Sequence, residues 1–218
     1  MSLQEIVVVR SASISTQPWW PDLHSAIITA FKRKDIQAFP PAWTRLNPDP
    51  TIGAEGLAKE LGPYGQLVVV LENGTPIACS GVLPFRGEDW TKEVRSVSSD
   101  AQLANGEVTK PNLHPQAQRV DGVIADWEIC CFCVHPSYRG RGLARLLLDT
   151  IMSTIKLRGA GKLIANYSIE ETGDFWPRMG FTQPIGTGSV LKKGFTHTPG
   201  MEGLRDDIHF KMSANIAD

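Results

Sequence analysis

Residues that can hold an anion are concentrated between Asp126 and Leu163. Arg139-Gly140-Arg141-Gly142-Leu143-Ala144-Arg145 places three arginines and two glycines in seven residues. An apolar run, Ile129 to Val134, precedes it through a turn at His135-Pro136-Ser137, and an apolar-periodic segment follows. Strand, glycine-rich turn and helix together form a phosphate cradle. Glycine lets the backbone approach closely, N–H groups of the turn and first helical turn point outward, and the helix dipole favours negative charge. Guanidinium groups add charge. A basic loop capping an ordinary helix has the same composition, so the segment alone leaves both readings open. Two other phosphate motifs fail on their residues. Arg145 stands where a dinucleotide turn needs a third small residue. Gly159-Ala160-Gly161-Lys162 lacks the first glycine and the final Ser/Thr of a Walker loop, because Lys156 and Leu163 occupy those places.

Two further features narrow the choice. Arg139-x-x-Gly142-x-Ala144 matches the Arg/Gln-x-x-Gly-x-Gly/Ala signature of the GNAT superfamily, the acetyl-CoA-dependent N-acetyltransferases, and follows a strand ending in Val134-His135-Pro136. Phe175-Trp176-Pro177-Arg178-Met179-Gly180-Phe181 resembles the Phe-Tyr-x-x-x-Gly-Phe segment of the same family. The resemblance spans Asp126 to Phe181. It implies an α+β GNAT fold, with a mixed, mostly antiparallel sheet of about seven strands flanked by about four helices.

The resemblance also assigns roles. Acetyl-CoA would be the co-substrate, with no metal. Its pyrophosphate would lie on Arg139, Gly140, Arg141, Gly142, Leu143, Ala144 and Arg145, mainly on backbone N–H groups. The strand end Phe132, Cys133 and Val134 would bind the pantetheine arm as an added strand, and the Phe132 N–H would face the thioester carbonyl. Asn166, Phe175, Trp176 and Arg178 would complete the cofactor site. Glu128 lies eleven residues before Arg139, the offset of the base glutamate in the histone-acetylating branch, and is the expected general base. Strand alternation puts Asp126 on its face as the second candidate. That neighbour, and the apolar flanks Trp127 and Ile129, are conditions that favour a proton-accepting carboxylate. A structural hydrogen bond is the plain alternative for such a residue.

The sequence departs from the family pattern in two places. Trp176 stands where many members have the tyrosine acid, and an indole N–H donates without serving as a practical proton source. Tyr167 is the substitute acid, against the simpler reading of a core tyrosine. Asn166 lies nine residues before Phe175, farther than the family asparagine, whose place Ile169 takes. The expected function is transfer of acetyl to a primary amine of a small molecule. A protein lysine or N-terminal acceptor, and a non-catalytic acyl-CoA sensor, are the alternatives.

The elements that must position these residues read as follows. Glu5–Ala12 is a first strand, and Asp22 caps a helix to about Lys34. Trp19 and Trp20 pack beneath that helix or close over an acceptor. Gly53–Leu61 is a short helix. Gln66–Glu72 and Pro76–Leu83 flank Asn73-Gly74, a hairpin turn. Residues 85–122 form a polar insertion in a single 1–218 domain, a solvated loop or an acceptor wall with Asp89, Trp90, Glu93 and His114. Leu143–Leu157 is a helix whose apolar positions are spread widely around it. Lys162–Ile169 is a strand, and Asp174 caps a short helix with Pro177 in its first turn. Strands Phe181–Leu191 and Arg205–Ser213 close the chain.

Composition excludes several classes. With 22 basic and 23 acidic residues the net charge is −1, which argues against a nucleic-acid binder. No apolar run nears the roughly 20 residues of a membrane span. Met1-Ser2-Leu3-Gln4-Glu5 lacks a signal peptide's regions, so a cytoplasmic protein, monomer or homodimer, is expected. Cys130, Cys131 and Cys133 share one strand, where alternation spreads them over both faces. Buried free thiols, with Cys79, are expected rather than a metal site or disulfide.

Overall fold

Asn73 and Gly74 both take positive φ, 50° and 79°. This left-handed pair folds β2 (Gln66–Glu72) tightly back onto β3 (Thr75–Pro84). The structure, a computed structural model, describes residues 3–32, 38–88, 119–120, 123–195 and 202–216. In the expected insertion, Asp89, Trp90, Glu93 and His114 lie outside the described residues. β1 (Gln4–Arg10) pairs antiparallel with β2 at the sheet edge. α1 (Trp20–Lys32) begins two residues before the expected cap, leaving Asp22 in its first turn. α2 (Pro50–Leu61) starts earlier than expected because Asp49 caps it. The Asp49 carboxylate accepts from the N–H groups of Thr51 and Ile52 at 2.8 and 3.1 Å, and Pro50 fills the position where no N–H is needed. Trp20 donates to the Pro50 carbonyl at 2.8 Å, tying α1 to α2. Trp19 and Trp20 are both buried and serve packing.

β4 (Arg119–Val120) and β5 (Val123–Ile124) form a small separate ribbon before the central strand, β6 (Asp126–Val134). α3 (Leu143–Lys156) then leads to β7 (Lys162–Ser168). Two one-turn helices follow, α4 (Ile169–Thr172) and α5 (Phe175–Arg178), then β8 (Gln183–Leu191) and β9 (Ile208–Ile216). α4 was not expected; the Ser168 hydroxyl caps it by accepting from the Glu171 N–H. Asp174, the expected cap of α5, makes no capping bond.

The sheet order is β1-β2-β3-β6-β7-β9-β8. Among the described residues only β6 and β7 run parallel, and α3 makes the crossover between them. The apolar positions of α3 form one stripe rather than several sides: Leu143, Leu147, Leu148, Ile151 and Ile155 are buried together against one sheet face. That face presents Val68, Val70, Val82, Trp127, Ile129 and Leu163. α1 and α2 cover the opposite face over Leu67, Val69, Cys79, Leu83 and Cys130. Both faces are buried, so β2 reads as a continuous apolar run.

One irregularity shapes the centre. Register passes from Cys79↔Cys133 to Gly81↔Cys130, so Ser80 alone opposes Cys131 and Phe132. This is a β-bulge, and Cys131 takes φ 47° within it. The bulge breaks the expected alternation: Cys130, Cys131 and Cys133 all pack on the α1/α2 face with Cys79. All four thiols are free and buried. Cys79 and Cys133 lie directly across from each other, with their sulfurs 3.6 Å apart.

Gly81 makes room for the bulge. A Cβ there would lie 2.6 Å from Cys130 Sγ and 3.2 Å from the Cys130 carbonyl oxygen. Gly81→Ala is therefore expected to cost about 1–3 kcal/mol, read as a lower urea midpoint at unchanged slope.

Candidate active site

The β6–β7 pairing ends early. Register runs from Asp126↔Lys162 to Ile129↔Ala165 and stops. Beyond it the bulge turns β6 away, while β7 keeps its partner β9 as far as Ser168↔Phe210. Residues 130–134 of β6 thus have β3 on one side and a wedge on the other. Backbone groups on the wedge side can pair with an extended ligand running beside the strand. Phe132 sits directly after the bulged Cys131, within the wedge.

The wedge opens toward the turn before α3. Gly140 and Gly142 both have φ 78°, a conformation that side chains disfavour. A Cβ at either would meet nothing within 4 Å. Gly142 is the N-cap of α3, and its carbonyl accepts the first helical bond, from Leu146 at 3.1 Å. By helix geometry the N–H groups of residues 142–145 have no intrahelical acceptor. These are the groups that the sequence reading offers to a phosphate.

The arginines divide. Arg139 and Arg145 are exposed. Arg141 instead reaches sideways to Glu72 at the end of β2, with contacts of 2.5 and 3.3 Å, and lies over the Tyr138 ring at 5.2 Å. The hydrogen bonds that Arg141 donates to Glu72, with that carboxylate's charge, hold the guanidinium above its ordinary range. Sequence reasoning counted Arg141 with the phosphate charges; its charge is matched by Glu72. Leu143 is buried in the core and offers the cradle only its backbone. Arg178 is exposed and pairs with Asp174 at 3.8 Å, at the margin of the site.

Aromatic rings floor the wedge on the α3 side. Trp176 is buried and packs edge-on against Phe132 at 5.2 Å, Phe175 at 5.2 Å and Phe181 at 5.1 Å. Its indole Nε1 is buried without a hydrogen-bond partner among the described residues. So is Oδ1 of Asn166, which alternation places on the other face of β7, in line with Ile164. Buried polar groups are normally paired. Two orphans flanking the wedge, and a turn with open space at Gly140 and Gly142, fit the amide-rich pantetheine and the pyrophosphate of acetyl-CoA.

Glu128 and Asp126 face the α1/α2 side. Glu128 is 1% exposed, and the unexpected residue is its partner. Arg86, two residues past β3 and itself buried, donates from Nη2 to Oε1 at 2.5 Å and from Nε to Oε2 at 3.1 Å. The sequence pointed to Asp126 as the group conditioning Glu128; its direct neighbour is a cation. Burial alone would lower the Arg86 guanidinium, but the charge and hydrogen bond of Glu128 hold it raised. A second pair, Arg45–Glu60 at 2.7 and 2.8 Å, lies on the same face. Burial works against the Glu60 carboxylate, but Arg45 and Arg86 keep it lowered. No sequence signal announced Arg86, which lies 42 residues before Glu128.

Tyr167 is buried on the part of β7 beyond the last β6–β7 pair. Its hydroxyl lies 3.4 Å from Ser213 Oγ on β9, and its ring packs in the α3-side core near Trp176. Among the described residues no His/Cys/Asp/Glu group could hold a metal ion. No described helix is long and apolar enough to cross a membrane.

Residues 107–183 match the family model for an acetyltransferase (GNAT) domain. A search of curated proteins finds no sequence match. Several solved structures share the fold. Drosophila melanogaster polyamine N-acetyltransferase, which forms N-acetylagmatine, superposes with TM-score 0.54 at 17% identity, covering 97% of this chain and 100% of the other. A GNAT-family acetyltransferase from Streptococcus pneumoniae gives 0.52 at 11%, covering 97% and 99%. The ribosomal-protein-S18-alanine N-acetyltransferase of Escherichia coli gives 0.51 at 12%, covering 99% and 95%. At these identities the likeness is one of fold. The split β6–β7 pair and the glycine cradle both lie within the matched segment, so residues 107–183 resemble a GNAT acetyltransferase domain and the chain shares the fold of these solved acetyltransferases.

Proposed function

We propose that the protein transfers acetyl from acetyl-CoA to a primary amine of a small molecule by direct attack. The observation that carries this reading is the free flank of β6 running from the Cys131 bulge to the Gly140/Gly142 cradle. An extended arm with a thioester at one end and a pyrophosphate at the other would pair along it. Acetyl-CoA, when bound, supplies the activated acyl group.

Each chain residue then has a part. The N–H groups of residues 142–145 hold the pyrophosphate, with Arg139 and Arg145 adding charge. Asn166 and Trp176 offer their orphan polar atoms to the arm. The Phe132 N–H, set by the bulge, donates to the thioester oxygen as negative charge develops there. Glu128 takes the amine proton directly or through a water. Arg86 occupies one direction on each carboxylate oxygen, and a carboxylate offers about four. The amine nitrogen bonds to the acyl carbon, the carbon–sulfur bond breaks, and the sulfur leaves with its electron pair. The Tyr167 hydroxyl, 3.4 Å from Ser213 Oγ, stays the candidate to protonate the leaving thiolate.

Thiol release from acetyl-CoA, followed across small amines and lysine peptides, tests this reading. Amine-dependent release above hydrolysis is expected. Faster release with peptides would reassign the acceptor to protein. Tight acetyl-CoA binding with no release on any amine would make the protein a sensor.

A further inference from the structure

The thiols of Cys79 on β3 and of Cys130, Cys131 and Cys133 on β6 have no part in the chemistry above. All four are buried together on the sheet face that α1 and α2 cover. One pair among them is placed to react. Cys79 and Cys133 are register partners on antiparallel strands. Opposed residues of such strands have Cα atoms about 4.5–5.5 Å apart, a span that a disulfide bridges. The sulfurs already lie 3.6 Å apart and need only close to about 2.05 Å. Cys131 is the rival partner, because the Cys79 thiol also lies 3.6 Å from its carbonyl oxygen. The bulge, however, sets Cys131 opposite Ser80 and out of register with Cys79, and Cys130 opposes Gly81.

The pair sits on the strand that borders the wedge. Cys133 lies between Phe132 and Val134, whose free backbone flank would pair with a pantetheine arm. Closing the two sulfurs draws this stretch toward β3 and away from the wedge.

We infer that Cys79 and Cys133 are a thiol pair that a hydroperoxide closes to a disulfide, and that closure loosens acetyl-CoA; the second half rests on the acetyl-CoA reading above. Cys133, 7% exposed against 0% for Cys79, meets the oxidant first. Its thiolate attacks one oxygen of hydrogen peroxide, an S–O bond forms, the O–O bond breaks, and the leaving hydroxide takes a proton to become water. The Cys79 sulfur gives up its proton and attacks the Cys133 sulfur. The S–S bond forms, the S–O bond breaks, and a second water leaves. The two thiols lose two electrons and the peroxide gains them.

The test treats the reduced full chain with an equal amount of hydrogen peroxide, then alkylates the remaining thiols. Peptide mapping without reductant is expected to find Cys79 joined to Cys133. Calorimetry should show acetyl-CoA bound about tenfold more weakly than by the reduced protein, with the loss reversed by dithiothreitol. Cys79→Ala should bind acetyl-CoA as the reduced wild type does and lose the response to peroxide. Cys79→Ser makes the same test if the alanine variant fails to fold. Cys131→Ala should still form the bond. No bond, a bond from Cys79 to Cys131, loss of the bond in Cys131→Ala, or unchanged affinity in the cross-linked protein overturns the inference. Each leaves the acetyl-CoA reading intact when the reduced protein binds acetyl-CoA. A reduced protein that binds none overturns both.

Discussion

In the Gly142→Asp variant, calorimetry is expected to detect no acetyl-CoA binding, while circular dichroism stays that of the wild type. Gly142 caps α3 with φ 78° and ψ 1°. Aspartate tolerates this left-handed conformation at a cost of about 1–2 kcal/mol, and no protein atom stands within 4 Å of its Cβ. The fold should therefore survive. The new carboxylate would project into the space of the pyrophosphate, where like charge and volume both oppose binding. Gly142→Asn separates the two, being of nearly equal size and uncharged. It should weaken affinity less than Gly142→Asp. Unchanged affinity in both variants would remove the phosphate from this turn.

The second large effect concerns the Arg86–Glu128 pair. Arg86→Met should destabilise the protein by about 3–5 kcal/mol, because it leaves a buried carboxylate uncompensated. Adding Glu128→Leu should restore most of that stability, since an apolar pair of similar volume has no desolvation to offset. Urea unfolding of both single variants and the double variant measures the coupling. Activity moves differently. Glu128→Gln keeps shape and removes the proton acceptor. Turnover at neutral pH should then fall by about 10² to 10⁴, with acetyl-CoA affinity within a few-fold. The loss should shrink at high pH, where more amine is already neutral. Asp126→Asn should cost less, because Asp126 lies at the closed end of the β6–β7 pair. Near-normal turnover in Glu128→Gln would leave Glu128 a structural partner of Arg86.

Local signals carried much of this architecture. The Asn73-Gly74 turn, the α3 helix and the glycine turn before it are each written in a few neighbouring residues, and the structure has them where the sequence put them, although the apolar positions of α3 form one stripe instead of the wide spread expected. What escaped depends on contacts across the chain. The bulge arises where Gly81 meets Cys130, and Cys-Cys-Phe-Cys by itself reads as ordinary strand. The Arg86 clamp links the end of one strand to the middle of another, with most of a polar insertion between them. Arg141 is likewise held by Glu72, 69 residues away in the chain. The start of α2 was missed for a smaller reason: Asp49-Pro50 is a cap followed by a first-turn proline, and the proline-rich stretch before it hid the signal.

The early end of the β6–β7 ladder also makes a mechanical seam. Four register pairs join the half built on β1, β2, β3 and β6 to the half built on β7, β8 and β9, against seven between β7 and β9. Amides flanking the seam should exchange with deuterium sooner than those of β2 and β3, which are paired on both sides. A molecule lying in the wedge would bridge the two halves as a staple. At a concentration of about 100 times its Kd, such a ligand should add about 2.7 kcal/mol to stability. That gain should appear as slowed exchange in β6 and β7 and as a raised Tm, before any acetyl group has moved.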